Sequence, residues 1–372
     1  MILKTEKFQE SCKKILDAVD SNVLSVVSET LELKTEGNIL FMNVTNKEYF
    51  VEVKIDLETA LEFHATVDAN LFLNLVSKIT TKDIELTVVD NTLVVKGNGT
   101  YKIPLIYDGD KLLELPRIEI ENEVKSFNVQ NNILQSILKY NIKELQKGAI
   151  SKPIQRLFYI DEKGAITFTT GACVNTFTLE QPLRMLLNER VVKLFKLLSS
   201  ETVQFKMGMD PLNESMMQTK VMFKDDSVTI TAIISSDSQL MNTVPVDGIR
   251  NRADYNYPYS VTVDKNNVLE ALGRMLVFTK KNEVALFTTI DFDFDGMTMY
   301  DNHKENKEKI SYTNYVDALE GQTYTALFEV NDLKLTLESC DEQYITIKFG
   351  NHQAAVISRA SISNIIPECT AE

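Results

Sequence analysis

Phe8-Gln-Glu-Ser-Cys12-Lys-Lys-Ile15-Leu16-Asp-Ala-Val19 opens the chain with a helical period. Phe8, Cys12, Ile15, Leu16 and Val19 fall on one face, the spacing of an amphipathic helix. The pattern comes back twice. Val129-Gln-Asn-Asn-Ile133-Leu134-Gln-Ser-Ile137-Leu138 comes about 121 residues later, and Val263-Asp-Lys-Asn-Asn-Val268-Leu269-Glu-Ala-Leu272 about 134 residues after that. Asn131 and Asp264 stand where an N-cap would. Recurrence at similar long intervals points to one structural unit used three times.

The stretches behind each helix recur as well. Period-two segments come next: 24–33, 38–44 and 49–55; then 155–160, 165–169 and 175–179; then 284–294, 297–300 and 309–315. A second helical stretch then appears in each copy, at 68–76, 187–197 and 330–337. A β-rich run lies after each of these: Ile84–Val88, Val203–Met207 and Ile345–Phe349. The sequence therefore predicts an α+β chain of three tandem domains, 1–120, 121–250 and 251–372, each with two helices and antiparallel sheets. Pro116–Lys125 and Val244–Pro258, which carry prolines and charges, read as the linkers.

Composition narrows the function. The 372 residues carry 39 basic and 53 acidic side chains, a net −14. That argues against a protein coated in basic surface. Nothing approaches a membrane span, and the N-terminus has no signal-peptide shape. Cys12, Cys173, Cys340 and Cys369 are scattered, and the three histidines are dispersed, so neither a disulfide framework nor a zinc cluster is expected. Asp291-Phe-Asp293-Phe-Asp295-Gly296 begins like a calcium loop, but Asn302 stands where the bidentate acid belongs. Its strict alternation reads as a hairpin. Gly97-Asn-Gly99 is a turn without the lysine of a phosphate loop. No nucleophile, base pair or metal motif emerges, so no enzyme activity, metal or cofactor is expected.

Taken over its whole length, the chain resembles the bacterial-type DNA polymerase sliding clamp (beta clamp, DNA polymerase III beta subunit family). The resemblance rests on the length, the threefold unit, the opening Lys4-Thr-Glu-Lys-Phe8, the phrase Lys152-Pro153-Ile154-Gln-Arg-Leu157-Phe158, and the third opening Ser260–Arg274. It implies DNA-clamp domains forming half of a closed ring, with helices lining a central hole and sheets outside. The implied role is a cytoplasmic processivity factor that encircles duplex DNA without reading sequence. Its partners would be DNA polymerase, a clamp loader and a second copy of itself as a head-to-tail homodimer, with no membrane. The alternative is a non-enzymatic β-rich scaffold that never meets DNA.

Charge placement bears on that choice. The helical windows 7–19, 68–78, 129–147, 187–198, 264–281 and 330–338 carry +1, 0, +2, +2, +2 and −1, or +6 together, which leaves −20 for the rest. A basic inner wall with an acidic exterior suits loose, sequence-independent encirclement. The expected DNA-facing residues are Lys13, Lys14, Lys78, Lys139, Lys143, Lys147, Lys193, Lys196, Arg274, Lys280 and Lys281. The resemblance further implies a pocket for partner peptides, built here from Pro153, Ile154, Thr169, Gly171, Val174, Leu240, Val244, Ile357 and Arg359. Thr169-Thr170-Gly171-Ala172-Cys173-Val174 departs from the family's Thr-Asp-Gly-His-Arg-Leu type at Thr170, Ala172 and Cys173. The chain then runs on past the final expected strand through Ile365-Ile366-Pro367. Tyr101, Ile103, Leu105, Val277 and Phe278 are expected at the dimer interface.

Overall fold

The computed structural model describes residues 1–20, 25–147, 152–213, 216–235, 238–278, 286–314, 319, 321–353 and 355–369. Among these residues the repeated strands come in three sets of eight. The first is β1 (Ile2–Lys4), β2 (Thr30–Glu36), β3 (Ile39–Thr45), β4 (Tyr49–Asp56), β5 (His64–Asp68), β6 (Asp83–Val89), β7 (Thr92–Lys96) and β8 (Thr100–Pro104). A small hairpin, β9 (Tyr107–Asp108) and β10 (Lys111–Leu112), comes after it. The second set is β11 (Glu123–Gln130), β12 (Leu157–Asp161), β13 (Gly164–Phe168), β14 (Ala172–Thr176), β15 (Arg184–Asn188), β16 (Thr202–Asn213), β17 (Met216–Lys224) and β18 (Val228–Ile234). The third is β19 (Tyr259–Asp264), β20 (Phe287–Phe292), β21 (Gly296–Tyr300), β22 (Lys307–Ser311), β23 (Tyr324–Glu329), β24 (Tyr344–Phe349), β25 (Ala355–Arg359) and β26 (Ile362–Ile366).

The helices keep the same beat. The first set holds α1 (Thr5–Leu16) and α2 (Ala69–Val76). The second holds α3 (Asn131–Ser136), a π-helical turn at Ile137–Asn141, α4 (Ile142–Glu144), and α5 (Glu189–Leu194) running into a 3-10 turn at Phe195–Leu197. Then come α6 (Ser238–Asn242) and α7 (Val246–Ala253), and the third set holds α8 (Lys265–Leu276) and α9 (Val330–Glu338).

Compact packing divides the chain into two units. Met1–Leu134 with Lys193–Ser236 forms one, and Gln135–Val192 with Asp237–Glu372 the other. The first unit contains a four-stranded sheet, β1-β6-β7-β8, and an eight-stranded sheet, β11-β16-β17-β18-β4-β3-β2-β5. The second contains the eight-stranded β15-β12-β13-β14-β26-β25-β24-β19 and the four-stranded β22-β21-β20-β23. All pairings are antiparallel among the described residues. Two four-strand orders underlie everything. One is β1-β6-β7-β8, repeated as β11-β16-β17-β18 and β19-β24-β25-β26; the other is β5-β2-β3-β4, repeated as β15-β12-β13-β14 and β23-β20-β21-β22. The second repeat contributes one sheet to each compact unit, so the unit boundaries fall inside it.

Local chemistry explains the helix positions. Asp68 caps α2 by accepting from the Leu71 N–H at 2.6 Å, and Asp264 caps α8 by accepting from Asn266 N–H at 2.8 Å. Asn131 differs from expectation: it is the first helical residue, and its amide donates to the Leu198 carbonyl at 3.1 Å. Phe8, Cys12 and Ile15 of α1 are buried, and Phe8 meets Phe72 of α2 edge to face at 6.1 Å. Each such apolar side chain contributes about 1.5–3 kcal/mol on burial.

Two features depart from the sequence reading. The boundary set between 250 and 251 cuts through α7. Val246, Ile249 and Ala253 lie three and seven residues apart on that helix and pack on the apolar cluster of the second unit, a stripe masked by Pro245 and Gly248. Ile103 of the expected dimer surface is 2% exposed. On β8 it faces the buried side of the sheet, opposite Leu93, while Lys102 alternates outward and Tyr101, on the same side as Ile103 but near the strand's start, stays exposed, so the Ile103 side chain belongs to the core.

Candidate functional site

The basic helix faces come first. In the first unit, Lys13 and Lys78 are exposed and make no ion pair among the described residues. Lys14 reaches the hydroxyls of Ser199 and Ser227, both at 3.4 Å. Lys193 is exposed, and Lys196 pairs with Asp17 at 3.0 Å. In the second unit, Lys139 binds Asp341, which also accepts from the Tyr140 hydroxyl at 2.8 Å. The shared hydrogen bonds hold the Asp341 carboxyl below the usual carboxylate range, and the Asp341 contact raises Lys139. Lys143 is half-buried without an ion pair among the described residues. Arg274 makes a two-point contact with Glu308 at 2.8 and 2.5 Å. Lys280 and Lys281 lie outside the described residues.

Lys147 corrects the sequence reading. It is 2% exposed, and its ammonium donates to Glu144 Oε2 at 2.6 Å. The helical period that would put it on the solvent side does not reach it: the run is interrupted by the π-turn at Ile137–Asn141, α4 ends at Glu144, and Lys147 lies past that end. Asn141 holds the turn in place: it is fully buried, and its amide donates to the carbonyls of Ala165 and Cys173, each at 3.3 Å. Glu144 is equally buried, and burial raises its pKa against the pull of Lys147 and Thr169.

A cleft of about 300 Å³ lies in the second unit, lined by Phe168, Thr169, Thr170, Gly171, Ala172, Pro245, Gly248, Ile249, Arg252, Ile365 and Pro367. Behind its lining residues Ala172 and Ile365 lies a buried apolar cluster that includes Ile154, Val174, Val244 and Val356, with Leu240 packed against it. Pro153 opens the 3-10 turn Pro153–Arg156 beside it. Gly171 is required for the wall to close: a Cβ there would lie 2.2 Å from the Ile365 carbonyl oxygen, where β14 meets β26. The lip is anchored from behind. Thr169 donates to Glu144 Oε1 at 2.8 Å, Thr170 donates to Asp332 of α9 at 2.7 Å, and Gln155 donates to the Thr169 carbonyl at 3.0 Å. Cys173, one residue on, points away from the cleft, and burial pushes its thiol up to about 12.

A polar cleft of about 480 Å³ shares Pro245 and Gly248 with the first. Arg250 grips Asp161 there through two hydrogen bonds, at 2.6 and 2.8 Å. Burial would raise Asp161, yet the Arg250 contacts hold it below the usual range.

Ile357 and Arg359 do not reach the apolar cleft. On β25 the side chains alternate: Val356 joins the apolar cluster behind the cleft while Ile357 enters the third repeat's core. Arg359, on the Ile357 side, is 5% exposed, contacts Cys340, and lies 4.6 Å from the Tyr140 ring centre. The strand that completes the wall is β26. The extension through Ile365-Ile366-Pro367 supplies Ile365 and Pro367 to the lining, and the contribution of α7 is what the sequence reading misses.

Three repeats of paired four-stranded sheets, each carrying two helices, define the class as a sliding-clamp fold. Comparison with solved structures bears this out. The beta subunit from DNA polymerase of Streptococcus pyogenes matches with a TM-score of 0.80 at 13% identity. The DNA polymerase sliding clamps from Pseudomonas aeruginosa and Bacillus subtilis match at 0.78 with 12% identity and 0.77 with 14% identity. Each alignment covers 100% of this chain and 99% of the other. The chain thus has the fold of the bacterial-type DNA polymerase sliding clamp throughout. In sequence, it is 29% identical over 126 residues to the beta sliding clamp of Mycoplasmopsis pulmonis, a stretch covering 32% of this chain and 31% of that protein. No family model matches. No described helix is long and apolar enough to cross a membrane.

Proposed function

We propose that this chain is a sliding clamp: a non-enzymatic processivity factor that closes around duplex DNA in the cytoplasm and tethers a polymerase. The observation that carries the reading is the edge pattern of the repeated sheets. β18 pairs with β4, and β26 pairs with β14. Each junction joins the last strand of one four-strand order to the last strand of the other. The third such pair, β8 and β22, is unmatched among the described residues. An exposed edge strand is a template for another chain, and two different edges per chain generate a head-to-tail assembly that closes as a ring. Tyr101 and Leu105 lie on or beside β8. Val277 and Phe278, 77% and 51% exposed, come just after α8, whose Arg274 reaches Glu308 on β22.

The exposed lysines on the helices then serve as the loose phosphate contacts, and the cleft between β14, α7 and β26 receives an apolar anchor from a polymerase or clamp-loader peptide. Retention on nicked circular plasmid DNA tests the reading. Assembled protein should stay on the circle and escape once the plasmid is linearised. Replacing Lys13, Lys78 and Lys143, which make no ion pair among the described residues, by glutamate should shorten retention. Equal loss from circular and linear DNA would leave the scaffold reading in its place.

A further inference from the structure

Among the helix cations engaged by carboxylates, two stand at matching places. Asp17 ends α1, the first helix of the first repeat, and meets Lys196, at the end of the second repeat's second helix. Lys139 lies in the first helix of the second repeat and meets Asp341, just after α9, the third repeat's second helix. Both pairs bridge the first helix of one repeat to the second helix of the next. Their polarity is opposite: the acid sits on the first helix in one case and on the second helix in the other.

All four side chains are about half exposed, between 44% and 53%. Pairs of this kind are weak, because water and salt compete for both partners. They are therefore exchangeable, whereas the buried Glu144–Lys147 pair is not.

We propose that Asp17 and Asp341 act as built-in competitors of DNA phosphates, so that Lys196 and Lys139 touch DNA only by trading a carboxylate for a phosphate. The inference rests on the DNA-facing assignment of these helices. A free lysine that neutralises a phosphate releases the cation condensed there, which makes binding fall steeply with salt. A lysine taken from a carboxylate leaves that carboxylate to recruit a cation from solution. The net release is smaller and the salt dependence shallower. The energy difference between touching and not touching is smaller too, so a moving duplex meets a smoother wall.

Equilibrium binding of the assembled protein to a fluorescent duplex oligonucleotide, measured by anisotropy across a potassium chloride series, tests this. Asp17→Asn with Asp341→Asn should bind tighter at low salt, with a slope of log K against log salt steeper by about 0.9 for each phosphate contact freed. Glu6→Gln with Glu10→Gln makes the same change in net charge at exposed acids with no ion pair among the described residues. It should leave the slope near that of the parent. Equal slopes for the two double variants would overturn the proposal and reduce the pairs to ordinary surface contacts. Lys13→Gln, Lys78→Gln and Lys143→Gln together report on the underlying assignment. If they weaken binding while the Asp17/Asp341 variant keeps the parental slope, the competitor role alone fails. If they too change nothing, the DNA-facing reading falls with it.

Discussion

Helix α1 and the run from Asn131 to Glu144 hold the same place in successive repeats, yet they are built differently. α1 is one continuous helix. Its apolar stripe is readable at a period of 3.6, and its lysines lie where the wheel puts them. The second run is broken by a π-turn, locked by a buried asparagine, and ends on an ion pair sealed from water. Periodicity suffices to read a side chain's direction only while the helix stays in phase.

The contrast is tested hardest at the two lysines. Lys147→Ala strips Glu144 of its buried partner and should cost about 3–5 kcal/mol, measured by urea unfolding. Lys13→Ala, on the open face of α1, should stay within about 0.5 kcal/mol. Similar losses at both positions would mean that the π-turn does not separate the two environments. Next in size, Ile15→Ala removes an α1 core contact and should cost about 2–5 kcal/mol by the same assay. A smaller loss, about 1–3 kcal/mol, is expected for Asn141→Ala, which leaves the Ala165 and Cys173 carbonyls without that donor. Hydrogen exchange should then quicken around Ile137–Glu144 and leave α1 as protected as before.

The smallest effect is one of pH. The folded-state pKa of Asp341 is depressed, so its contribution to stability is present above the ordinary carboxylate value of about 3.9 and fades as pH falls through the lower folded value. Thermal unfolding of Asp341→Asn between pH 5 and pH 3 should show a slightly flatter loss than the parent. A steeper loss would contradict the assignment.

Much of the fold was legible because it rests on short-range patterns. The three amphipathic openings, the second helices and the strands behind them depend on neighbours a few residues apart. Asp264 as a helix cap comes from the same local chemistry. The site was legible only in part. Thr169 and Gly171 line the cleft, and Ile154, Val174 and Val244 lie in the apolar cluster behind it. Ile357 and Arg359 were lost to the strand's alternation, because one position on β25 decides between that cluster and a different core. Helix α7 hid behind a proline and a glycine, two residues that ordinarily mark a loop.

The amino-acid sequence by itself determined the threefold unit, the α+β class and the excess of positive charge on the helices, because period and charge are carried by each residue and its near neighbours. Tertiary structure alone decided which strand joins which across repeats, which edges stay open, that Lys147 turns inward, and that Lys139 and Lys196 are held by acids about 200 and 180 positions away. Those outcomes depend on partners brought together from distant parts of the chain, and burial sets them where no local pattern can.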